Sequence, residues 1–166
     1  MATRRKPPQL SHVDAAGRPG MVDVSAKATT VREAEAECLV VLPPAAADAL
    51  REGGMRTRKG PVFDTAIVAG TLAAKRTHEL IPFCHPLAID ACRIVVEFAG
   101  EHTVRVLCRV GTQGRTGLEM EALTGATVAA LTIYDMCKAL GQGIVIGPAR
   151  LLAKRGGRSG TWEAGA

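Results

Sequence analysis

From Ala122 to Tyr134 the chain runs thirteen residues without a charge, ALTGATVAALTIY, inside the longer stretch Gly117–Leu140. Glu119 and Glu121 precede the run, and Asp135 and Lys138 follow it. A helix that is apolar on every side is one that becomes buried. Whatever else the chain does, it must wrap this segment. The charges at its ends then need a reason, because burying an unpaired charge is costly. Asp135 and Lys138 are three residues apart, so on a helix they share a face and can meet. On the residues alone they read either as a structural ion pair, with Lys138 complementing the helix dipole, or as the charged end of an active site. Glu119 and Glu121 point to different sides of a helix. Both suit a helix N-terminus, and an inward Glu121 would accept from a guanine-like amidine edge.

The 166 residues suffice for one domain with a substantial core. The expected organisation is a disordered basic tail over residues 1–11 and a single catalytic domain over residues 12–166. Aromatic residues are only 3% of the chain against 47% hydrophobic, so Ala, Val, Leu and Ile must fill the core. Stacking platforms are too scarce for a single-strand or RRM-like nucleic-acid binder. The net charge of +5 suits an anionic ligand. The five cysteines, Cys38, Cys84, Cys92, Cys108 and Cys137, are odd in number and form no CxxC. They match no zinc module and read as reduced thiols of a cytoplasmic protein. Neither a signal peptide nor a membrane span is visible.

Along the chain, Met21–Ser25 reads as a short strand or an ordered arm. Thr30–Leu42 reads as a strand whose Glu33, Glu35 and Glu37 face water, stopped by Pro43-Pro44. A short helix, Ala45–Arg51, ends at Gly53-Gly54, and Met55–Gly60 is a basic loop. A helix runs from Pro61 to about Leu80. The IPFCHP segment, Ile81–Pro86, leaves it because proline restricts itself and its predecessor. Leu87–Phe98 and Thr103–Val110 are strands joined by a turn at Ala99–His102. The uncharged helix follows, then a strand over Ile144–Leu152 and a glycine-rich basic tail, Lys154–Gly160. This order predicts an α+β fold, a ferredoxin-like antiparallel sheet with helices packed on one face.

Four further clusters bear on chemistry. Lys59, backed by Arg56 and Arg58, reads as a phosphate grip or as solvated surface. Lys75-Arg76 suits a helix C-terminus. The prolines flanking Cys84-His85 would hold His85 in place, as a proton donor or acceptor must be. Lys154, Arg155 and Arg158 stand among glycines that let backbone N–H groups approach an anion, without P-loop spacing.

The motifs MVDVSAKATTVREA, KGPVFDTAIVAGTLAAKRT, LIPFCHPL, GRTGLEMEALTGATVAALTIYDMCKAL and RLLAKRGGRSG resemble those of the MoaC family of molybdenum cofactor biosynthesis. The match runs from Leu10 to about Trp162. The resemblance implies a phosphorus–oxygen lyase. Its substrate would be 3′,8-cyclo-7,8-dihydro-GTP, and its products cyclic pyranopterin monophosphate and diphosphate. It implies that Asp135 and Lys138 are catalytic, with Asp135 as general acid/base, and that Lys59 and His85 join them. Phe83, Cys84, His85, Met120 and Glu121 would bind substrate. Glu119, Lys27, Arg32, Arg76, Lys154 and Arg158 would surround its base and triphosphate. It also implies a homohexamer, a trimer of dimers with sites at the dimer interface, and no nucleic-acid or membrane partner. No resident metal or cofactor is required, and Mg2+ could accompany the diphosphate. Phe83 replaces a usual Leu, and Arg115 and Arg158 stand where Lys is common. The two ends of the long helix lie about 20 Å apart at helical rise, so a compact site calls for a break in the helix or a neighbouring subunit.

Overall fold

Residues of small side chain alternate with polar ones along most of the strands, and that period of two builds the sheet. The computed structural model describes residues 17–158 and 160–165; the tail expected over residues 1–11 lies outside them. In chain order the elements are β1 (Thr30–Val41), α1 (Pro44–Glu52), β2 (Arg56–Thr57), β3 (Gly60–Pro61), α2 (Val62–Lys75), α3 (Thr77–Leu80), β4 (Ala91–Phe98), β5 (Thr103–Gly114), α4 (Glu119–Cys137), β6 (Val145–Arg155) and β7 (Trp162–Glu163). One five-stranded sheet has the order β4-β5-β1-β6-β7, antiparallel throughout. Strand β5 lies between β1 and β4, which the first helices connect, and β1 lies between β5 and β6, which α4 connects. These interleaved crossovers are the expected split βαβ arrangement.

Ala34, Ala36, Cys38 and Val40 of β1 and Val104, Val106, Cys108 and Val110 of β5 are buried on the helix side. Across them lies α4, whose Ala122, Ala126, Ala129, Ala130 and Ile133 are wholly buried. Alanine is the best helix former, and its small size lets α4 sit close to both the sheet and α2. A Cβ placed on Gly70 of α2 would come within 2.6 Å of the Gly125 carbonyl oxygen and of Ile94 Cδ1. The two long helices therefore nearly touch backbone to backbone.

The opposite face of the sheet carries charges. The three glutamates of β1 do leave the sheet on that face, but they do not all meet water as expected. Glu37 is 5% exposed, held between Arg105 at 2.7 Å and Arg150 at 2.8 Å. Burying a carboxylate requires such partners. Burial pushes its pKa up, but hydrogen bonds from Arg150 and Arg105 overcome that and leave it lowered.

Several boundaries differ from expectation; β5, for one, runs on to Gly114 where an end at Val110 was expected. The helix from Pro61 breaks at Arg76 (φ −115°, ψ 18°), where the buried Thr77 hydroxyl donates to the Ala74 carbonyl at 3.0 Å; such back-bonding competes with the helix ladder. The MRTRKG loop contains the two-residue pairing of β2 with β3. Strand β4 starts four residues late because side chains replace its ladder: Thr112 donates to the Ala88 carbonyl, and the Asp90 carboxylate accepts from the Gln113 N–H. Lys154 and Arg155 belong to β6, not to a tail. Gly156, Gly157 and Gly160, all at positive φ, turn the chain back into β7, which the sequence reading missed. Met21–Ser25 is an arm without strand pairing.

Replacing Gly70 with Ala tests the helix contact. The gain in helix propensity is about 1 kcal/mol, yet one of the new clashes is with backbone that cannot swing away. We expect a net loss of about 1–3 kcal/mol in urea unfolding, with unchanged stability arguing against the close approach.

Candidate active site

Helix α4 is unbroken from Glu119 to Cys137. Its two charged ends are therefore held about 20 Å apart, from fourteen residue steps between Glu121 and Asp135. Of the two ways to make a compact site, a break in the helix is ruled out.

At the C-terminal end, Asp135 is clamped by two lysines. Lys138 Nζ lies 2.7 Å from Oδ1, and Lys59 Nζ lies 2.6 Å from Oδ2 and 2.9 Å from the Asp135 carbonyl. The small β2–β3 hairpin presents Lys59, whose N–H donates to Thr57 Oγ1, and Gly60 supplies the positive φ (114°) the turn needs. Hydrogen bonds from Lys138 and then Lys59 hold the Asp135 carboxyl down at about 2. In this state Asp135 is ionised at any physiological pH. In that pairing the carboxylate is a weaker base than a free one. The same contact raises the Lys138 pKa.

At the N-terminal end lies a cavity of about 290 Å3. One wall is Phe83, Cys84 and His85, and the other is Glu119, Met120 and Glu121, with Lys27, Val22, Val24 and Leu87 closing it. His85 Nε2 lies 2.8 Å from the Val22 carbonyl oxygen. A carbonyl only accepts, so this nitrogen carries a proton, and the N-terminal arm fixes the ring. Burial raises the Cys84 thiol, and Glu121 adds to it; a Cys–His nucleophile is disfavoured because the thiolate is the reactive form. Glu121 is 4% exposed and has no cationic partner within salt-bridge reach among the described residues. Burial lifts its carboxyl to about 6, assisted by Glu119. Glu119 faces the other way, toward Lys154 Nζ at 2.8 Å. Burial pushes its pKa up as well, but Lys154 and Arg32 bring it below the ordinary value.

The predicted arginines lie outside the cavity lining. Arg32 donates from Nε to the Gly114 carbonyl at 2.9 Å, and a Cβ on Gly157 would collide with its guanidinium. Arg158 is exposed in the turn after β6, and Arg76 is exposed at the end of α2; neither lines the cavity. Gly117 was missed. A Cβ there would collide with the Glu119 carboxylate, so glycine just before the helix leaves Glu119 room to reach Lys154. A larger groove of about 370 Å3 on the helix-free face is lined by Glu33, Glu35, Arg93, Arg109 and Arg155. Its Glu35 and Arg109 already satisfy each other, so the smaller cavity is the better candidate. Among the described residues no group of three or more His, Cys, Asp or Glu could hold a metal ion.

The chain matches the MoaC family over residues 21–157. It is 57% identical over 158 residues to the cyclic pyranopterin monophosphate synthase of Xanthomonas oryzae pv. oryzae (strain MAFF 311018), covering 95% of this chain and 96% of that one. It is 58% identical over 150 residues to the protein of the same name from Xanthomonas campestris pv. campestris (strain B100), covering 90% and 91%. A third relative of that name, from Xanthomonas axonopodis pv. citri (strain 306), is 57% identical over 158 residues.

The buried carboxyl yields a stability prediction. The folded pKa of Glu121 lies above the ordinary 4.5, so its folded state binds the extra proton and stability falls as pH climbs from about 4.5 to 6. Glu121→Gln should match the parent at pH 4 and exceed it at pH 8 by up to about 2 kcal/mol. Thermal melts at both pH values check this; equal melts at pH 8 would contradict an unpaired buried carboxylate.

Proposed function

The chain belongs to the MoaC family, and from that premise we infer that it is a cyclic pyranopterin monophosphate synthase of molybdenum cofactor biosynthesis, whose catalytic centre is the Lys59–Asp135–Lys138 clamp. Relatives named for that activity are 57% and 58% identical to it over 95% and 90% of the chain. The geometric support is the clamp itself: two lysines within 2.7 Å of one carboxylate, which directly follows the uncharged run Ala122–Tyr134.

The reaction proposed is conversion of 3′,8-cyclo-7,8-dihydro-GTP to cyclic pyranopterin monophosphate and diphosphate. Forming the cyclic phosphate expels diphosphate and builds negative charge on oxygens. Preorganised ammonium groups stabilise such charge without reorganising. Lys59 and Lys138 are already aligned for this. When phosphate oxygens draw them away, the pull on Asp135 weakens and its pKa rises toward the ordinary range. Asp135 then becomes a useful base only with substrate bound. At the other end Glu121, poised near 6, and the held His85 suit the proton transfers that turn a purine into a pterin. Lys27, Arg32, Lys154 and Arg158 give the anion its surroundings there, and Phe83, Cys84 and Met120 shape the pocket.

One chain cannot bring the two ends of α4 together. The proposal therefore places the cavity of one subunit against the clamp of another, within a homohexamer built as a trimer of dimers. Val68 and Leu72 on α2 and Leu131 and Tyr134 on α4 are exposed, and apolar surface of this kind favours association. Reduced thiols fit a cytoplasmic enzyme: all five cysteines are free, and no helix among the described residues is long and apolar enough to cross a membrane.

Asp135→Asn should leave the melting temperature nearly unchanged, because the pairs it makes are exposed, while diphosphate release falls by about two orders of magnitude or more. Undiminished release from the folded variant would remove Asp135 from the mechanism. Mixing inactive Asp135→Ala chains with inactive Glu121→Ala chains should restore about a quarter of the activity if dimers form at random and each site draws on both chains. No recovery in verified hybrids would mean that each chain builds its own site.

A further inference from the structure

We propose that Trp162, the single tryptophan of the chain, is an aromatic wall of the substrate site, on which the flat ring system of the nucleotide stacks while Lys154 holds an anionic oxygen beside it. This rests on the reading of the cavity as a nucleotide site.

The chain has five aromatic residues, and they divide cleanly. Phe63 and Phe98 pack together, with centroids 5.9 Å apart, and Arg51 lies over Phe98. Phe83, Tyr134 and Trp162 are exposed. Phe83 lines the cavity and Tyr134 adjoins Asp135, so two of the three stand at the two ends of the site. Trp162 is far from both in sequence, yet the sheet brings it there. It lies directly opposite Lys154 in the ladder. Opposed residues of antiparallel strands leave the sheet on the same face, with Cβ atoms about 4.5–5.5 Å apart. The row runs Val110, Ala34, Lys154, Trp162, and its first two members are buried on the helix side. Lys154 reaches from this row to Glu119 at 2.8 Å, and Glu119 lines the cavity. The indole thus stands one strand outside the lysine, and the Lys154–Glu119 contact links that lysine to the cavity, whose own lining includes neither Lys154 nor Trp162.

Strand β7 is only two residues long, yet it is tied down by more than its two ladder pairs. The Ala164 N–H donates to the Leu152 carbonyl at 2.8 Å, and Arg155 reaches Glu163 at 3.6 Å on the far side. Trp162 itself remains 44% exposed, so burial explains little of this anchoring. A rigid, half-exposed indole offers a large flat surface at low entropic cost, and a purine or pterin ring is the planar partner that matches it.

Intrinsic fluorescence, excited at the red edge of the indole band where Tyr134 does not absorb, reports on this residue alone. Titrating the unaltered chain with GTP should quench the emission saturably. Inorganic tripolyphosphate should compete with GTP yet cause no comparable quenching. Trp162→Ala should raise KM about tenfold with kcat within about twofold, and Trp162→Phe should recover most of the loss. Equal quenching by GTP and tripolyphosphate overturns the wall, because the indole would then be sensing charge. An active Trp162→Ala variant with unchanged KM overturns it too, and leaves the function standing. If the unaltered chain neither binds GTP nor turns over the cyclic nucleotide, the reading of the site falls and the wall with it. The quenching measurement needs no substitution, so it decides the matter even if Trp162→Ala does not fold.

Discussion

Where α2 crosses α4, the chain has room for hydrogen and nothing larger. The Gly70 Cα faces the Gly125 carbonyl, and Ala129 and Ile94 close the remaining space. Interiors pack at crystal-like density, so this contact locks the two helices against each other and against the sheet below. Its consequence is rigidity in α4. A helix gripped along its length by α2 and three strands cannot bend to bring its ends together. The separation of Glu121 from Asp135 is thereby a fixed dimension of the molecule.

Chemistry follows from the contrast between those ends. At one, a carboxylate is exposed and doubly paired, and its pKa is driven down to about 2. At the other, a carboxylate is buried with no cation in salt-bridge reach among the described residues, and its pKa is lifted to about 6. Environments that push like groups apart are how a protein assigns different proton roles to them. The lysines that depress Asp135 are also the groups a phosphate would recruit. In the proposed mechanism, substrate binding and unmasking of the base are one event. The glutamate–arginine pairs on the other face of the sheet show the structural use of the same ingredients: there Glu37 is buried, paired and silent.

Much of this was legible in the chain. The uncharged run Ala122–Tyr134 announced the buried helix, and the alternation in Thr30–Leu42 announced the central strand. The strand order follows once two interleaved crossovers are recognised. Asp135 and Lys138 stand out in the sequence because charge beside an apolar run is conspicuous, and His85 because prolines flank it. Other features left no local mark. That Glu37 would be buried depends on Arg105 and Arg150, which lie 68 and 113 residues away. Strand β7 was invisible because two residues carry no periodicity. Gly117 looked like an ordinary helix boundary, although its missing side chain is what lets Glu119 turn to Lys154.

The sequence by itself determined which segments are buried and which residue types stand at their ends, because periodicity and the cost of burying charge act over a few neighbouring residues. Only the tertiary structure decided what each charged group does. A carboxylate's pKa depends on which cations lie within hydrogen-bonding reach and on how much water remains. Those neighbours arrive from distant parts of the chain: Lys59 from the hairpin before α2, Lys154 from β6, the Val22 carbonyl from the N-terminal arm. Asp135 and Glu121 are similar acids in one helix, and the packing around each makes one a locked anion and the other a group poised to exchange a proton.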